Sequence, residues 1–540
     1  MTTAQSLRHR LVPPADVSGV VAAGLRQTGI GFAAAGGRAE ARWHQALTGL
    51  AGCVRPVGGS SGPILCEGDD YPGAWIESTG TISAEVLDRF APAVSRRTQL
   101  EFARLTRDDG LMPYKLTDDG PGYAQVQIVT PLARSVWKHD RLTGAPPAYR
   151  RAMYDAMAAM DRWLAAHRDS RGSGGVEAFC AFDTGHDRSP RFWFAPQRCP
   201  GGDAGRFDAS YPPLPYIAPD LTANVACQRH YLSLIAADLG EDPAPWRRLA
   251  DASTAALWER CFDPVDQFFY DCQADGAWLR LQSDVLGRVL ACEVGDETFF
   301  VGALRRYLMN TGKFLSANGV TSLALDDPRF DHDYQSNSWG GPVNLLTMLR
   351  LPEAFERHGH VAELAMIERP VLTALLSTDR FPQCLDPWTG APGFADNYSP
   401  AMLWLLDAIE RTCGIQPRPD GRIWFSGLGL SRLESGQAAG LTGYARRVGT
   451  VRYESLVDDE RVRVLANGDD WLDFPAGWRV VVEAGQPRAV VGLRADVVSG
   501  HLRFAGGSLG LELAPNQTVV LERGRVVATQ AVDCVAPVWS

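Results

Sequence analysis

The sequence predicts a mainly α-helical chain, built as a toroid of paired helices and followed by a C-terminal antiparallel β-sandwich. Three observations support this prediction. Apolar residues recur with helical spacing between residues 84 and 413, long loops rich in Gly, Pro and Asp separate the helical segments, and short strand-like runs follow residue 417. No internal sequence period is present, so a solenoid of repeats is not expected.

Two segments show the helical pattern most clearly. In the first, one helical face carries the apolar stripe Tyr149, Met153, Met157, Met160 and Leu164. In the second, a similar stripe runs from Leu221 to Leu239, and Gly240 is the expected stop. Further candidate helices lie near 84–106, 127–140, 243–261, 297–310, 341–357, 363–377 and 399–413. Because long loops inside a compact domain are usually functional, we expect the loops at one end of the ring to build the site.

The strand-like runs lie near the C-terminus. Val462 and Val464 alternate with polar neighbours, and the apolar runs 480–482 and 519–521 are bounded by turn-forming residues. We therefore divide the chain into three parts, which are a segment of uncertain structure at 1–60, a helical domain at 61–415 and a β-rich domain at 416–540. Within the first part, 17–25 and 38–50 are expected to form either strands or short helices. The stretch 416–421 is interpreted as a linker.

Composition argues against several classes of protein. The net charge is −10 and Lys and Arg do not cluster, which argues against a nucleic-acid partner. The sequence shows neither a secretory leader nor a long apolar run, so we expect a cytoplasmic protein without a membrane partner; an oligomer is compatible with it. The 11 cysteines lack CxxC pairs and are interpreted as reduced thiols, so no cofactor or metal is expected. The acidic runs 67–70 and 326–333 lack the spacing of a Ca²⁺ loop and are interpreted as solvated loops.

The densest block of chemically competent residues is AFDTGHDRSPRFW at 181–193. It places Asp183, His186 and Asp187 in a loop with aromatic residues around it. A carboxyl group near apolar rings has its charged form disfavoured, so it can stay protonated and act as a general acid. The alternative is that these Asp residues cap turns. The 15 Trp residues of the chain suit either packing against sugar rings or a large helical core.

This block resembles the ESGxDxSPRW block of glycoside hydrolase family 63 and its relatives, among them the bacterial mannosylglycerate and glucosylglycerate hydrolases. Further similar segments follow in the family's order over residues 60–415: PGAWIESTGTISAEVLDRFAPA, DDGLMPYKL, VTPLARSVW, APDLTANVACQRHYLSLIAADLG, DPVDQFFYD, GVTSLALDDPRFD and YQSNSWGGPVN. The resemblance implies an (α/α)6 barrel and an inverting reaction at an α-linked sugar. In that reaction one carboxylic acid protonates the leaving oxygen, and a carboxylate activates water on the opposite face.

The resemblance also implies roles for single residues. Asp187 matches the general acid. Trp75 and Glu77 fall where relatives have Trp-Asp, so Glu77 is expected to bind sugar hydroxyls. Trp339 falls on the family's Trp and either floors a sugar subsite or packs in the core. The other candidate substrate-binding residues are His186, Arg191, Trp193 and Tyr398. Arg191 is expected either to bind an anionic group or to pair with Asp183.

One departure from the family pattern concerns the base. In the segment FPQCLDPWTG, Gln383 stands where relatives have the catalytic Glu, and an amide cannot deprotonate water near neutral pH. In the first alternative, Asp386, Asp396 or Glu77 is a relocated base, and Gln383 orients the water or binds a hydroxyl. In the second, the reaction is that of a phosphorylase, lyase or transglycosylase. A non-catalytic sugar-binding protein is the third alternative. Gly340 replaces a family Arg, which predicts a reshaped subsite.

Overall fold

The helices follow the apolar periodicity of the sequence. In the computed structural model, residues 3–128 and 130–540 are described. The described helices are α1 (Thr3–His9), α2 (Gly19–Thr28), α3 (Ala39–Cys53), α4 (Ser83–Leu87), α5 (Pro92–Arg104), α6 (Leu132–Thr143), α7 (Pro147–His167), α8 (Pro219–Asp238), α9 (Ala244–Ala256), α10 (Val285–Leu290), α11 (Glu297–Ala303), α12 (Leu345–Arg357), α13 (Val361–Ser377) and α14 (Ser399–Cys413). The π-helical turns Ser78–Ile82, Leu257–Cys261 and Leu304–Leu308 adjoin α4, α9 and α11.

The apolar stripes decide which helix faces are buried. The five stripe residues of α7 are all buried, and Pro147 occupies the first turn, where a backbone N–H is not needed. Helix α8 covers the second stripe, and Gly240 follows it with a φ of 75°. Both predictions are confirmed. Helices α8, α12 and α14 are buried on nearly every side, as expected for helices that other elements surround.

Contacts between helices pass around a closed ring. Helix α4 contacts α6, α6 contacts α8, α8 contacts α10, α10 contacts α12, α12 contacts α14, and α14 contacts α4. We call these six the ring helices. Helices α5, α7, α9 and α13 each pack against a ring helix that neighbours them in sequence, and α3 packs against α14. Of the helices described, none is long and apolar enough to cross a membrane.

The strands comprise short pairs within the helical part and longer strands after it. They are β1 (Gly31–Ala35), β2 (Val54–Arg55), β3 (Ile64–Leu65), β4 (Gly73–Trp75), β5 (Lys115–Thr117), β6 (Gly120–Gly122), β7 (Glu177–Ala178), β8 (Tyr216–Ile217), β9 (Phe262–Asp263), β10 (Phe268–Phe269), β11 (Asp271–Cys272), β12 (Trp278–Leu279), β13 (Leu315–Ser316), β14 (Gly319–Val320), β15 (Val343–Asn344), β16 (Cys384–Leu385), β17 (Ile415–Pro417), β18 (Ile423–Ser426), β19 (Leu441–Val448), β20 (Val451–Val457), β21 (Arg461–Ala466), β22 (Asp469–Pro475), β23 (Trp478–Glu483), β24 (Gln486–Gly492), β25 (Val498–Phe504), β26 (Gly507–Leu513), β27 (Thr518–Glu522) and β28 (Arg525–Gln530).

Two antiparallel sheets make up the C-terminal part. One has the strand order β1-β19-β20-β21-β22-β25-β26, and the other has the order β17-β18-β23-β24-β27-β28. The Phe425 ring of β18 lies 5.3 Å from the Tyr453 ring of β20 and 5.5 Å from the Trp471 ring of β22, so the two sheets pack face to face. The strands predicted around Val462 and Val464 and at 480–482 and 519–521 are confirmed.

At the ends of the helical part, the structure decides one open alternative and corrects one prediction. The segments 17–25 and 38–50, left open between strand and helix, are largely helical and form most of α2 and α3. Between them, β1 pairs antiparallel with β19, so the first residues of the chain contribute an edge strand to a C-terminal sheet. The interpretation of 416–421 as a linker is wrong at its start. Gln416 and Pro417 belong to β17, which pairs with β18 across a hairpin, and Ile415 and Gln416 of this strand are buried.

Candidate active site

The N-terminal ends of the ring helices converge. Asp284, which directly precedes α10, accepts a hydrogen bond of 2.6 Å from Thr347 in the first turn of α12. Arg288 of α10 reaches Asp220 in the first turn of α8. Thr130, shortly before α6, donates 2.6 Å to the backbone oxygen of Glu77, which precedes the π-helical turn leading into α4. Helix N-termini carry partial positive charge, so this end of the ring favours carboxylates and negatively polarised ligand atoms.

Asp187 lies in the loop that crosses this end. The Asn337 side-chain amide donates 2.5 Å to Oδ2 of Asp187, and the backbone N–H of Trp339 donates 3.0 Å to its carbonyl oxygen. Burial, together with the charge of Glu77, raises the pKa of Asp187 to about 7, although Asn337 and Arg288 act in the opposite direction. The carboxyl group therefore keeps its proton up to neutral pH, which is what a general acid requires.

A buried ion-pair network fixes this loop. The Arg191 guanidinium donates to both oxygens of Asp220, at 2.8 and 2.9 Å, and to both oxygens of Asp271, each at 2.6 Å. His186 lies between Arg191 and Asp284, with distances of 3.0 Å from Nδ1 and 2.8 Å from Nε2. Burial and the charge of Arg288 lower the pKa of His186 to about 4, so the ring is neutral. His186 and Arg191 therefore position the loop, and their polar atoms already have protein partners.

Asp183 has a different partner from the one expected. Its carboxylate is paired with Arg168, at 2.6 and 3.1 Å, and accepts the backbone N–H groups of Val126 and Phe179. The alternative that Arg191 pairs with Asp183 is therefore wrong. Cys180 and Cys199 lie beside Asp183 with ligand atoms within 4.8 Å of one another. Because Arg168 already neutralises Asp183, this cluster fits a guanidinium rather than a metal ion.

Glu77 packs directly against the loop that carries Asp187. Gly185 has a φ of +65°, and a Cβ added there would lie 2.1 Å from Oε2 of Glu77. That oxygen is buried and has no hydrogen-bond partner among the residues described. Burial raises the pKa of Glu77, and the positive charges of Arg350 and Arg288 oppose this rise. The structure thus brings Glu77 to the flank of Asp187 with one buried oxygen that lacks a hydrogen-bond partner among the described residues.

Glu67 is a site residue that the sequence did not reveal. It is buried, unlike its exposed neighbours Asp69 and Asp70, so the interpretation of 67–70 as a solvated loop fails for this residue. Its backbone oxygen accepts 2.6 Å from the N–H of Ser399, and its side chain lies beside that of Tyr398. Burial and the charge of Glu77 raise the pKa of Glu67 well above its usual range. The only local signal is the apolar run of β3 just before it, which leads into the core.

An aromatic wall holds Gln383. The Tyr71 hydroxyl donates 3.1 Å to Oε1 of Gln383, and the backbone N–H of Gln383 donates 2.7 Å to the carbonyl of Phe394. The ring of Tyr71 lies 5.6 Å from that of Trp75, 6.0 Å from that of Phe394 and 6.1 Å from that of Tyr398. The structure therefore brings together three of the predicted site residues, Trp75, Gln383 and Tyr398, and adds Tyr71.

Two of the candidate bases are engaged elsewhere. Oδ1 of Asp386 accepts the backbone N–H groups of Trp388 and Thr389, at 2.9 and 2.7 Å, and so holds a tight turn. Asp396 is exposed and forms an ion pair with Arg380. Both carboxylates therefore have structural roles that account for their presence without a role in catalysis.

The predicted Trp residues occupy different depths. Trp339 is buried, and the Arg288 guanidinium lies 4.6 Å from its ring centre while the His186 ring lies at 5.2 Å. Two cationic or polar groups therefore already cover much of its ring. Trp193 is 53% exposed and lies at the surface. A Cβ on Gly340 would meet Pro190 at 3.5 Å, so the loop with Asp187 packs against this position.

Arg350 is the least satisfied polar group of the site. It is buried in α12, and none of its three guanidinium nitrogens has a hydrogen-bond partner among the described residues. Burial and the charge of Arg288 lower its pKa to about 10, while Glu77 and Tyr398 act in the opposite direction. Leaving buried polar groups unpaired is costly, so they are expected to be satisfied by water or by a ligand.

Comparison with known proteins identifies relatives of this chain. The family model for the mannosylglycerate hydrolase MGH1-like glycoside hydrolase domain matches residues 89–400. The family 63 mannosylglycerate hydrolase of Thermus thermophilus, solved in complex with Tris and D-glycerate, aligns with a TM-score of 0.55 at 16% identity, over 68% of this chain and 99% of that chain. Neutral trehalase from Saccharomyces cerevisiae aligns with a TM-score of 0.50 at 12% identity, over 69% of this chain and 79% of that chain. A sialidase aligns with a TM-score of 0.61 at 13% identity, over 86% of this chain and 42% of that chain. No curated protein matches the chain.

Proposed function

Because this glycosidase belongs to the mannosylglycerate hydrolase MGH1-like glycoside hydrolase family, we propose that it hydrolyses a small α-linked glycoside with inversion and that Asp187 is its general acid. The observation that carries the proposal is the state of Asp187. Its carboxyl group has a pKa of about 7 and lies where the N-termini of the ring helices converge. An acid with this pKa is protonated when it must donate and is regenerated readily near neutral pH.

The fold proposed for this reaction is an (α/α)6 barrel over residues 61–415 with a β-sandwich over 416–540. The closed sequence of contacts among the six ring helices supports the barrel, and the two packed antiparallel sheets support the sandwich. Residues 1–60 would serve both parts, since β1 extends one sheet and α3 packs on α14. The site at the helix N-termini would then be the mouth of the barrel.

In the proposed reaction, the protonated Asp187 donates its proton to the glycosidic oxygen as the bond from that oxygen to the anomeric carbon breaks. Water attacks the anomeric carbon from the opposite face, so the product has the inverted configuration. Glu77 would accept sugar hydroxyls through its free oxygen, and Trp75 would offer an apolar face to the sugar ring. Gln383, held by Tyr71, would orient the water or bind a hydroxyl.

The substrate proposed is a monosaccharide linked to a small polar partner. A relative has been solved with D-glycerate, and another is a trehalase, so mannosylglycerate, glucosylglycerate and trehalose are the first compounds to assay. NMR of the product before mutarotation would give its anomeric configuration, and we expect β-sugar. Retention of the α configuration would contradict the inverting mechanism.

The role of Asp187 is tested by Asp187→Asn. We expect kcat on the best of these substrates to fall about 10²–10⁴-fold, because the amide cannot donate the proton. Asp251→Asn, at an exposed position on α9, is the matched control and should keep wild-type kcat. If Asp187→Asn keeps more than a third of the wild-type kcat, Asp187 is not the acid.

Phosphorolysis is the second candidate, and Arg350 favours it. A buried guanidinium without a partner suits a phosphate, and phosphate attacks without a general base, so Gln383 would no longer be an anomaly. Assays with and without inorganic phosphate separate the two reactions. Formation of a sugar 1-phosphate that depends on phosphate supports phosphorolysis, whereas equal turnover without phosphate supports hydrolysis.

A further inference from the structure

Hydrolysis with inversion needs a carboxylate across the sugar from Asp187, and Gln383 cannot supply it. We propose that Glu67 is the general base that activates the attacking water, and this inference rests on the proposed function. Glu67 comes from a different segment of the chain than Gln383, but it reaches the same side of the site.

Glu67 lies near the position of Gln383. The side chain of Tyr398 lies beside that of Glu67, and the Tyr398 ring lies 6.1 Å from that of Tyr71, whose hydroxyl donates to Gln383. Glu67 is thus two side chains away from the position at which the family pattern places the base. Gly68 forms a β-bridge with Tyr398, so backbone pairing fixes this arrangement.

Glu77 is placed differently from Glu67. Glu77 touches Gly185, two residues before Asp187, and its charge is one of the causes that raise the pKa of Asp187. A carboxylate on the flank of the acid lies on the wrong side for attack from the opposite face. Glu67 instead joins the wall of Tyr71, Gln383 and Tyr398, where the attacking water is expected.

Glu67 has an acceptor that the protein leaves unused. Oε1 of Glu67 is buried and has no hydrogen-bond partner among the described residues. Burial and the charge of Glu77 raise the pKa of Glu67, whereas the positive charge of Arg350 favours its ionised form. The raised pKa makes the ionised carboxylate a stronger base toward water.

The proposed step is balanced as follows. Water forms a bond from its oxygen to the anomeric carbon and gives one proton to the Glu67 carboxylate. The bond from the anomeric carbon to the leaving oxygen breaks and its electron pair stays on that oxygen. Asp187 donates its own proton to the same oxygen. The products are the β-configured sugar and the free alcohol, and proton exchange with solvent restores both carboxyl groups.

The experiment compares α-glycosides with α-glycosyl fluorides of mannose and glucose. Fluoride leaves without a proton, so cleavage of a glycosyl fluoride needs the base but not the acid. We expect Glu67→Gln to lower kcat about 10²–10⁴-fold on both kinds of substrate, and Asp187→Asn to lower it only on the ordinary glycosides. Sugar affinity measured by calorimetry should stay within threefold of wild type, which shows that the Glu67→Gln site is intact.

Two further variants sharpen the test. Asp70→Asn, at an exposed carboxylate three residues away, is the matched control and should keep wild-type kcat. Glu67→Ala with azide should form the β-glycosyl azide from the α-fluoride, because azide attacks from the same face and needs no base.

The outcomes that overturn the inference are distinct. If Glu67→Gln hydrolyses the fluorides within threefold of wild type, Glu67 is not the base although Asp187 keeps its role. Turnover that depends on phosphate would likewise mean that Glu67 is not the base. If the wild-type enzyme cleaves neither the glycosides nor the fluorides, the proposed function fails, and this inference fails with it.

Discussion

Gly185 offers the most direct test of how the loop carrying Asp187 is seated. Its φ of +65° lies in the left-handed region, and it packs so closely on Glu77 that a Cβ would lie 2.1 Å from Oε2. Cβ contacts closer than 3.0 Å are essentially never found, so Gly185→Ala must displace the loop or the Glu77 carboxylate by about 0.9 Å. Where the loop shifts, Asp187 shifts with it, because it is two residues further along the same loop; where the carboxylate shifts, Glu77 leaves its place beside the acid.

Two separate costs determine how much stability Gly185→Ala loses. A non-glycine residue in the left-handed region costs about 1–2 kcal/mol, and overpacking a buried contact costs about 1–3 kcal/mol more. A misplacement of about 1 Å in a catalytic group costs about 10²-fold in rate. We therefore expect the free energy of unfolding to fall by about 2–5 kcal/mol in denaturant titrations, and kcat to fall about 10²-fold.

Gly201→Ala separates strain from collision. Gly201 has a φ of +63°, and a Cβ there would meet no atom within 4 Å, so this variant bears the backbone strain alone. It should lose about 1–2 kcal/mol of stability and keep wild-type kcat. If Gly185→Ala matches Gly201→Ala in both stability and kcat, Glu77 is not seated against this loop, and the reasoning about the flank of the acid is wrong.

Three further predictions concern the same site. Because Asp187 must hold its proton, kcat/KM should fall as the pH rises through about 7. Asn337→Ala removes a hydrogen bond that lowers the pKa of Asp187, so it should move this fall to higher pH. An unchanged pH–rate profile would contradict the role of that bond. Asp386→Ala removes the hydrogen bonds that hold a turn, so it should lower the free energy of unfolding by about 1 kcal/mol while kcat changes less than threefold. A fall in kcat of about 10²-fold without destabilisation would instead make Asp386 the base. Arg191→Lys should lower the free energy of unfolding by about 3–5 kcal/mol, since one ammonium cannot serve two buried carboxylates; a loss below about 1 kcal/mol would mean that the network does not stabilise the loop.

The sequence predicted helices and strands better than it predicted which side chains contact each other. The stripe of α7 and the alternation of β21 are local patterns that burial on one face imposes, and both are found in the structure. The short segment 17–25 was ambiguous because Ala and Gly carry little periodic signal, and tertiary packing decides that it is helical. Residues 416–417 were misassigned because Pro and Asp around a tight hairpin look like a linker.

The site shows the same limit more strongly. Asp187 and Trp75 could be proposed as site residues because family motifs are local. Arg191 was assigned a ligand or the wrong carboxylate because its true partners, Asp220 and Asp271, lie 29 and 80 residues away. Glu67 stands in a run of acidic residues that resembles a solvated loop, and its burial depends on contacts with residues near Ser399, which are distant in sequence.

In the part of the chain that the structure describes, three residues at this end of the ring combine unpaired polar atoms with electrostatic coupling, as a binding site for a polar ligand requires. Among the described residues, buried oxygens of Glu67 and Glu77 and all three guanidinium nitrogens of Arg350 lack partners, and electrostatic coupling links these three residues. By contrast, the equally buried Arg191 is paired with Asp220, Asp271 and His186. Each unmatched buried group costs about 1–3 kcal/mol. A sugar presents hydroxyls that both donate and accept, so a sugar that contacted both carboxylates and the guanidinium would recover part of this free energy on binding.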